Sequence, residues 1–240
     1  MKTTKKLLSI LFLATLFSAC DGNMFNRVNG NGNVITADRS TSENFTKVRV
    51  STGLDLYLSQ GSKNKIVVEA DENLHDIIMT EVNDGELRIY SEKGIWQASA
   101  RKIFVTVTNL EAVTATSGSD VYANETIKTD FIEVNASSGA DIRIVVDANT
   151  VETNSTSGSD IKIEGIANNH TSSATSGASI NGYGLQSKNA TANATSGADI
   201  NIYASDSLKA FASSGGDIDF RGNPKQVTKK SSSGGSVSEK

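Results

Sequence analysis

Six aspartates recur at one fixed place in a short repeated motif, and carboxylates in such a series suggest two kinds of chemistry. In the copy ATSGSDV (residues 115–121) the aspartate stands two positions after the glycine. A row of carboxylates can supply oxygen ligands to a calcium ion, and a pair of them can act as acid and base in the hydrolysis of a glycan. The six residues are Asp55, Asp120, Asp141, Asp160, Asp199 and Asp217.

The glycines of the motif set the period of the chain. They are Gly53, Gly118, Gly139, Gly158, Gly177, Gly197, Gly215 and Gly234. From Gly118 onward their spacing is 18 to 21 residues, and a period near twenty that tolerates small insertions is typical of a solenoid. Apolar residues follow most of these glycines at the third and fifth positions, as Ile142 and Ile144 do, which indicates a strand with one buried face. The sequence therefore predicts an all-β, single-domain β-helix, right-handed because parallel crossovers are, with coils of about 19 to 20 residues.

The same alternation, continued backward through the motif, predicts which residues point inward. Small residues stand one position after the glycine and one and three positions before it, as in Ser119, Ser117 and Ala115. The aspartates point outward and form a column with a rise of about 4.8 Å per coil. At that spacing two carboxylates repel by roughly 0.9 kcal/mol in water. A bound calcium ion would offset this repulsion, but the aspartates are more simply explained as solvated turn residues that bond to nearby backbone.

The repeats are clearest over residues 113–237, and the two ends of the chain differ from them. Alternating strands at 65–69, 86–90 and 103–107, a hairpin turn at 83–85 and a helical turn within 71–78 predict a less regular amino-terminal cap. Residues 223–240 are polar and lysine-rich and predict a charged cap at the other end.

The first nineteen residues form a signal peptide, with three lysines before a short apolar segment. They lead into Cys20, the only cysteine, in a sequence that resembles a bacterial lipobox, so we expect Cys20 to be acylated and to anchor the protein to a membrane. Residues 20–33 are rich in Asn and Gly and predict a flexible tether before a domain over 34–240. Removing residues 1–19 takes away three of 23 Lys and Arg and none of 27 Asp and Glu, which changes the formal charge from -4 to -7. Nucleic acid is therefore not expected as a partner.

Other candidate residues are scattered along the chain. Aromatic side chains can stack on sugar rings, and Tyr122, Tyr183 and Tyr203 are predicted to point outward or nearly so, while Trp96 falls in a loop. His170, in a polar Asn-Asn-His-Thr run, is expected to be solvated. Asp206, Ser207 and Leu208 resemble a short O-glycosylation signal, with Ser207 as the acceptor.

Three further segments carry a resemblance to a known family. They are F-x-x-V-x-V-S-T-G (residues 45–53), D-G-E-L-R-I (84–89) and V-T-V-T-N-L (105–110), and S-G-x-D turns follow them. In this order, after a lipoprotein signal, they resemble the auto-transporter adhesins with a head GIN domain, common in Bacteroidetes. The resemblance implies a β-helix and an adhesive role, and it supplies no catalytic residues.

The sequence favours a non-catalytic binding surface held at the cell envelope, on the outer membrane or cell surface. Glycans or other envelope proteins are the expected partners, since a repetitive face binds repetitive ligands by many weak contacts. Two alternatives stay open, a structural or regulatory lipoprotein without its own ligand and a glycan-cleaving enzyme that uses one pair of aspartates. No cofactor is expected, and calcium at the aspartates is the alternative that stays open.

Overall fold

A computed structural model describes residues 27–41 and 43–240. These residues form strands, together with one turn of 3-10 helix at Glu72–Leu74. In chain order the strands are β1 (Arg27–Asn29), β2 (Val34–Arg39), β3 (Lys47–Val50), β4 (Asp55–Gln60), β5 (Lys65–Asp71), β6 (Ile78–Asn83), β7 (Glu86–Ser91), β8 (Gly94–Gln97), β9 (Arg101–Val107), β10 (Ala112–Ala115), β11 (Asp120–Ser137), β12 (Asp141–Thr156), β13 (Asp160–Thr175), β14 (Ser179–Ala194), β15 (Asp199–Tyr203), β16 (Ser207–Ala212), β17 (Asp217–Arg221), β18 (Gln226–Ser231) and β19 (Ser236–Glu239).

The strands stack as a β-solenoid of about seven turns, which confirms the predicted fold class. Each of the long strands β11 to β14 follows one coil around its corners and pairs in parallel with the same part of the next coil. Beyond β14 each coil is divided into two strands, so that β15, β17 and β19 continue one side of the stack and β16 and β18 continue another. Equivalent residues of successive repeats consequently lie side by side.

The core consists of the inward residues of these coils. Ile142, Ile161 and Ile180 stack in one row and are at most 1% exposed. The small residues three positions before the motif glycine and one position after it are also buried, as shown by Ala115 and Ser119. Small side chains at these two positions let the chain turn tightly against the coil above and below.

The predicted inward position of the serine before each motif glycine is wrong. Ser117 has a φ of 57° and Gly118 a φ of 69°, and the same pair of left-handed residues recurs at every motif from residue 117 to residue 234. Two consecutive left-handed residues form a tight turn of the type that hairpins use, and this turn interrupts the alternation and exposes the serine. A Cβ added at Gly118 would meet no atom within 4 Å, so the positive φ, and not a lack of space, is the reason for glycine there.

The amino-terminal cap has the elements that the sequence predicts. β6 and β7 form an antiparallel hairpin whose turn contains Asp84 and Gly85, with φ values of 50° and 74°. β5 pairs antiparallel with both β2 and β9. The cap therefore ends the parallel stack of coils with antiparallel strand pairs.

The segment predicted as a tether through residue 33 is part of the fold from Arg27 onward. β1 pairs in parallel with β8, and the backbone N–H of Gly30 donates to the carbonyl of Gln97 over 2.7 Å. Gly32 donates its N–H to a carboxylate oxygen of the buried Asp71 over 2.8 Å. Hydrogen bonds to Gln97 and to the buried Asp71 thus hold a stretch whose composition alone favours flexibility. No helix in the described part of the chain is long and apolar enough to cross a membrane.

Candidate functional site

The six candidate aspartates lie in one column along the solenoid. Asp55 is paired with Asp120, and Asp120 with Asp141, because β4, β11 and β12 are aligned in register at these positions. The column continues through β13, β14, β15, β17 and β19 as Asp160, Ser179, Asp199, Asp217 and Ser236. The hydroxyl of Ser236 donates to the carboxylate of Asp217 over 2.6 Å and closes the column at its carboxyl-terminal end. We call this outward surface the aspartate face.

The carboxylates of the aspartate face differ in their surroundings. Burial raises the pKa of Asp55, as does the charge of Asp120, while Arg101 and Lys102 act in the opposite direction. Burial likewise raises the pKa of Asp141, followed by repulsion from Asp120 and Asp160, and Arg143 partly offsets both effects. The middle of the column therefore carries like charge that the neighbouring arginine only partly offsets.

The arrangement of the column does not provide a ready-made calcium site. Among the residues that the structure describes, no three His, Cys, Asp or Glu side chains come close enough together to hold a metal ion. A cation between two rungs would find two carboxylates, whereas calcium takes six to eight oxygen ligands. Most of its ligands would have to be water.

A second outward column runs beside the aspartates and begins with three aromatic rings. Tyr57 stacks between Phe104 and Tyr122, with ring centroids 5.1 and 5.2 Å apart. Arg143 follows in the next coil, and its guanidinium carbon lies 5.6 Å from the centroid of the Tyr122 ring. The Tyr122 hydroxyl also donates to Asp120 over 3.4 Å. We call Phe104, Tyr57 and Tyr122 the aromatic column.

After the aromatic rings, this second column continues with basic side chains, then amides, and ends with an aspartate and a serine. The series after Tyr122 is Arg143, Lys162, Asn181, Asn201, Asp219 and Ser238. Lys162 forms a 2.6 Å ion pair with Glu164 of its own strand. A ligand lying along the solenoid axis would thus meet aromatic rings first, then cations, then amides, with the aspartate column alongside except at Ser179 and Ser236.

Sequence reasoning missed Phe104 as a member of this surface. Its ring is 37% exposed and points outward from β9, which pairs in parallel with β4. β9 carries no copy of the motif, so no periodic signal could align it with β4. The alternation within residues 103–107 indicates only that Phe104 faces away from Ile103 and Val105.

The two histidines do not adjoin the aspartate face. His170 is 1% exposed inside the coil stack, which contradicts the expected solvation of its side chain. Its ring packs against Gly182, where an added Cβ would lie 3.1 Å from the His170 ring carbon Cε1. His75 is held by the cap, and its Nε2 lies 3.2 Å from the carbonyl oxygens of Ile35 and Ala70.

Among the remaining candidates, Trp96 lines a groove with Asp55 and Lys102 at the amino-terminal end of the aspartate face. The others lie elsewhere on the solenoid or outside the described residues. The Ser207 hydroxyl donates to Asn189 over 2.8 Å, within a row of polar side chains on another side of the coil. Tyr183 lies under the guanidinium of Arg221, whose carbon is 4.1 Å from the ring centroid. Cys20 and the signal peptide lie outside the described residues.

The fold and its outward columns define a β-solenoid with a polar lateral surface. The chain belongs to the family described as "Putative auto-transporter adhesin, head GIN domain", whose model matches residues 44–224. This confirms the resemblance seen in the sequence. No curated protein matches the chain.

Three solved structures share this fold. A "putative adhesin" from Bacteroides fragilis NCTC 9343 is 20% identical, with a TM-score of 0.83 over 89% of this chain and 100% of its own. A "putative lipid binding protein" from Parabacteroides distasonis ATCC 8503 is 20% identical, with a TM-score of 0.73 over 89% and 99%. A "putative adhesin" from Parabacteroides merdae ATCC 43184 is 21% identical, with a TM-score of 0.70 over 90% and 99%. At this level of identity the likeness establishes the fold alone.

Proposed function

We propose that this protein is a lipid-anchored binding protein of the cell envelope that holds glycans on the aspartate face without cleaving them. The observation that carries the proposal is the parallel course of two columns, one of carboxylates and one that begins with stacked aromatic rings. Family membership supports an adhesive role at a surface.

The chemistry of the two columns suits a sugar chain. Aromatic rings stack on the apolar faces of sugar rings, and carboxylates accept hydrogen bonds from hydroxyl groups. Since equivalent groups recur at each coil, one extended glycan can make many weak contacts that add up to useful affinity. Neither column forms a deep pocket, which favours binding along a chain over enclosure of a small molecule.

The same geometry argues against hydrolysis at the column. Glycoside hydrolysis requires one protonated and one ionised carboxyl group at a set separation. Asp55 and Asp141 both have raised pKa values, and Asp120 lies between them. The pairs Asp55–Asp120 and Asp120–Asp141 each join a carboxyl group of raised pKa to the same neighbour, so neither pair is singled out as acid and base.

The lipid anchor at Cys20 is part of the proposal and rests on the lipobox-like sequence before it. A thioether-linked lipid on Cys20 would hold the solenoid at the envelope, where an adhesive face meets its ligands. Mass spectrometry of the protein isolated from its native membrane tests this part directly. An unmodified Cys20 in the mature protein would overturn it.

Binding of residues 21–240 to a broad panel of bacterial and host glycans, with and without calcium, tests the binding role. We expect saturable binding to one glycan class, and competition by the soluble form of that glycan. Asp120→Asn should weaken binding only a few-fold, because neighbouring rungs provide the same contact. Neither the wild type nor this variant should cleave the glycan. A folded protein that binds no glycan, or binds only envelope proteins, would overturn the glycan assignment. Cleavage that one Asp→Asn substitution abolishes would overturn the non-catalytic role.

A further inference from the structure

The side chain of Trp96 is exposed at the amino-terminal end of the solenoid. It is the only tryptophan of the chain, and 60% of its surface is accessible although it is the largest apolar side chain. On β8, Val28 pairs with Ile95 and Asn29 pairs with Gln97, so Trp96 is the extra residue of a bulge. Bulges commonly re-aim a side chain out of a sheet, and here the indole is largely exposed to solvent.

A cation lies over the exposed ring. The guanidinium carbon of Arg27 is 4.7 Å from the centroid of the Trp96 ring. Arg27 is also the first described residue, so the described chain begins beside the indole, seven positions after Cys20. Whatever path the intervening residues take, seven residues reach at most about 25 Å.

Further apolar and cationic groups belong to this end of the molecule. Val34 and Ile35, on the edge strand β2, are 42% and 39% exposed. The bond from Gly30 to the carbonyl of Gln97 connects the segment before β2 to β8. Lys93 is exposed next to β8, and the neighbouring Glu92 is exposed as well.

We propose that this end, through Trp96 and Arg27, docks on the phospholipid headgroup layer that holds the acyl chains of Cys20. Indole rings prefer the interface between water and lipid, and guanidinium groups bind phosphate with charge-assisted hydrogen bonds. The solenoid then stands on its amino-terminal cap, with its axis directed away from the membrane and with Asp55, which lines a groove with Trp96, as the nearest rung of the aspartate face. This inference rests on the proposed lipid anchor.

The fluorescence of Trp96 tests the proposal, because no other tryptophan contributes to the signal. The acylated full-length protein is reconstituted in vesicles of phosphatidylethanolamine and phosphatidylglycerol, with and without bromine on the acyl chains. We expect a blue-shifted emission and at least a twofold loss of intensity on brominated lipid. Emission equal to that of the unacylated protein in buffer, without bromine quenching, would overturn the docking.

A second arm separates this test from the question of acylation. Residues 21–240 are tethered by an amino-terminal histidine tag to vesicles that contain a nickel-chelating lipid. Blue-shifted and quenched emission in this arm supports docking even if Cys20 proves unmodified, whereas unchanged emission contradicts docking even if Cys20 is acylated. A shift caused by soluble glycans and not by vesicles would instead assign Trp96 to glycan binding and overturn the proposal.

Two matched variants test whether the quenching of Trp96 fluorescence depends on the charge of Arg27. Arg27→Glu should reduce bromine quenching about twofold, because a carboxylate would repel the lipid phosphates. Arg221→Glu makes the same charge change at another cation–π pair, over Tyr183, and should leave the quenching unchanged. Equal quenching in the wild type and both variants would contradict the role of Arg27.

Discussion

The Nε2 atom of His170 lies 3.0 Å from the hydroxyl oxygen of Thr153, inside the coil stack and away from solvent. The Thr153 hydroxyl in turn donates to Ser172 over 3.1 Å. Nε2 therefore carries the proton, and the imidazole is neutral with Nδ1 as an acceptor that has no partner. Burial lowers the pKa of His170 from 6.5 to about 4. A buried neutral histidine makes the stability of the fold depend on pH.

We expect the wild type to lose stability as the pH falls from about 6.5 to about 4. In this range the unfolded chain binds a proton at His170 and the folded chain does not, so the contribution of His170 is complete above pH 6.5 and is lost as the pH approaches 4. The loss amounts to about 3 kcal/mol at most. Urea unfolding at pH 7, 5.5 and 4.5 measures it.

His170→Leu provides the comparison, since Leu208 occupies the equivalent place two coils further on. The carboxylates titrate in both proteins and cancel in the difference between them. We expect the stability of this variant, relative to the wild type, to rise as the pH falls from 6.5 to 4. A difference that does not change with pH would show that His170 does not titrate in this way.

Asp71 should be essential for the amino-terminal cap. It is 1% exposed, and its oxygens accept backbone N–H bonds from Gly32, Ser99 and Ala100 over 2.8 to 2.9 Å. Burial alone would raise its pKa, but these bonds and its own backbone N–H lower it overall. Asp71→Asn turns one acceptor into a donor that faces N–H groups, and should reduce the free energy of unfolding by about 1 to 3 kcal/mol at pH 7.

The pH dependence of this effect has a definite sign. A lowered pKa means that the stabilisation is present above 3.8 and is lost as the pH falls through the folded-state value, so wild type and Asp71→Asn should converge in acid. Asp219→Asn is the control, because Asp219 forms only a surface ion pair with Lys240 at 3.5 Å and should change stability by less than about 0.5 kcal/mol. Equal effects of the two substitutions would contradict the role of Asp71.

Asp141→Asn should stabilise the folded protein at neutral pH. The raised pKa of Asp141, due to burial and then to Asp120 and Asp160, means that its charged form costs stability as the pH rises through the folded-state value. Removing the charge should add about 1 kcal/mol at pH 7 and nothing at pH 3. Asp199→Asn should add less, since Ser179 replaces one of its two charged neighbours. Thermal unfolding at both pH values measures the difference between the variants. An equal gain in stability for both would show that repulsion within the column is not its source.

Tyr122→Ala should weaken glycan binding more than the loss of any single aspartate. Tyr122 ends the aromatic stack and contacts both Asp120 and Arg143, so its removal should reduce affinity about tenfold. Tyr203→Ala is the control, because Tyr203 lies on the same side of the stack but outside the aromatic column. Isothermal titration with the selected glycan compares them. Equal affinities of Tyr122→Ala and the wild type would remove the aromatic column from the binding site.

The repeat made most of the fold and the aspartate column predictable, because parallel coils place equivalent residues side by side. The same alignment contains the signal that His170 is buried. Seven residues before the motif glycine, the other coils have Ile132, Val151, Ala190 and Leu208, which are all inward. The polar neighbours of His170 in the chain indicate solvation only when the alignment between coils is ignored.

Other features depend on contacts that no period describes. The exposed Ser117 follows from two consecutive left-handed residues, and the Ser-Gly pair is the only local signal for that turn. The folded conformation of residues 27–33 depends on Asp71, about forty positions away in the chain. The stack of Phe104 on Tyr57 requires the pairing of β4 with β9, two strands without a common motif.

Lys229 should keep the carboxyl-terminal edge of the solenoid from pairing with other chains. It pairs with the buried Ala210, and its Nζ lies 4.4 Å from the ring centroid of Phe220 at the end of the core. A charged residue at an inward edge position disfavours the addition of a further strand. Lys229→Val should therefore associate in a concentration-dependent way, as measured by light scattering after size-exclusion chromatography. Lys230→Val removes the same charge from the next, outward position beside Phe211, and should scatter as the wild type does. Association of both variants to the same extent would assign the effect to net charge and not to the inward position of Lys229.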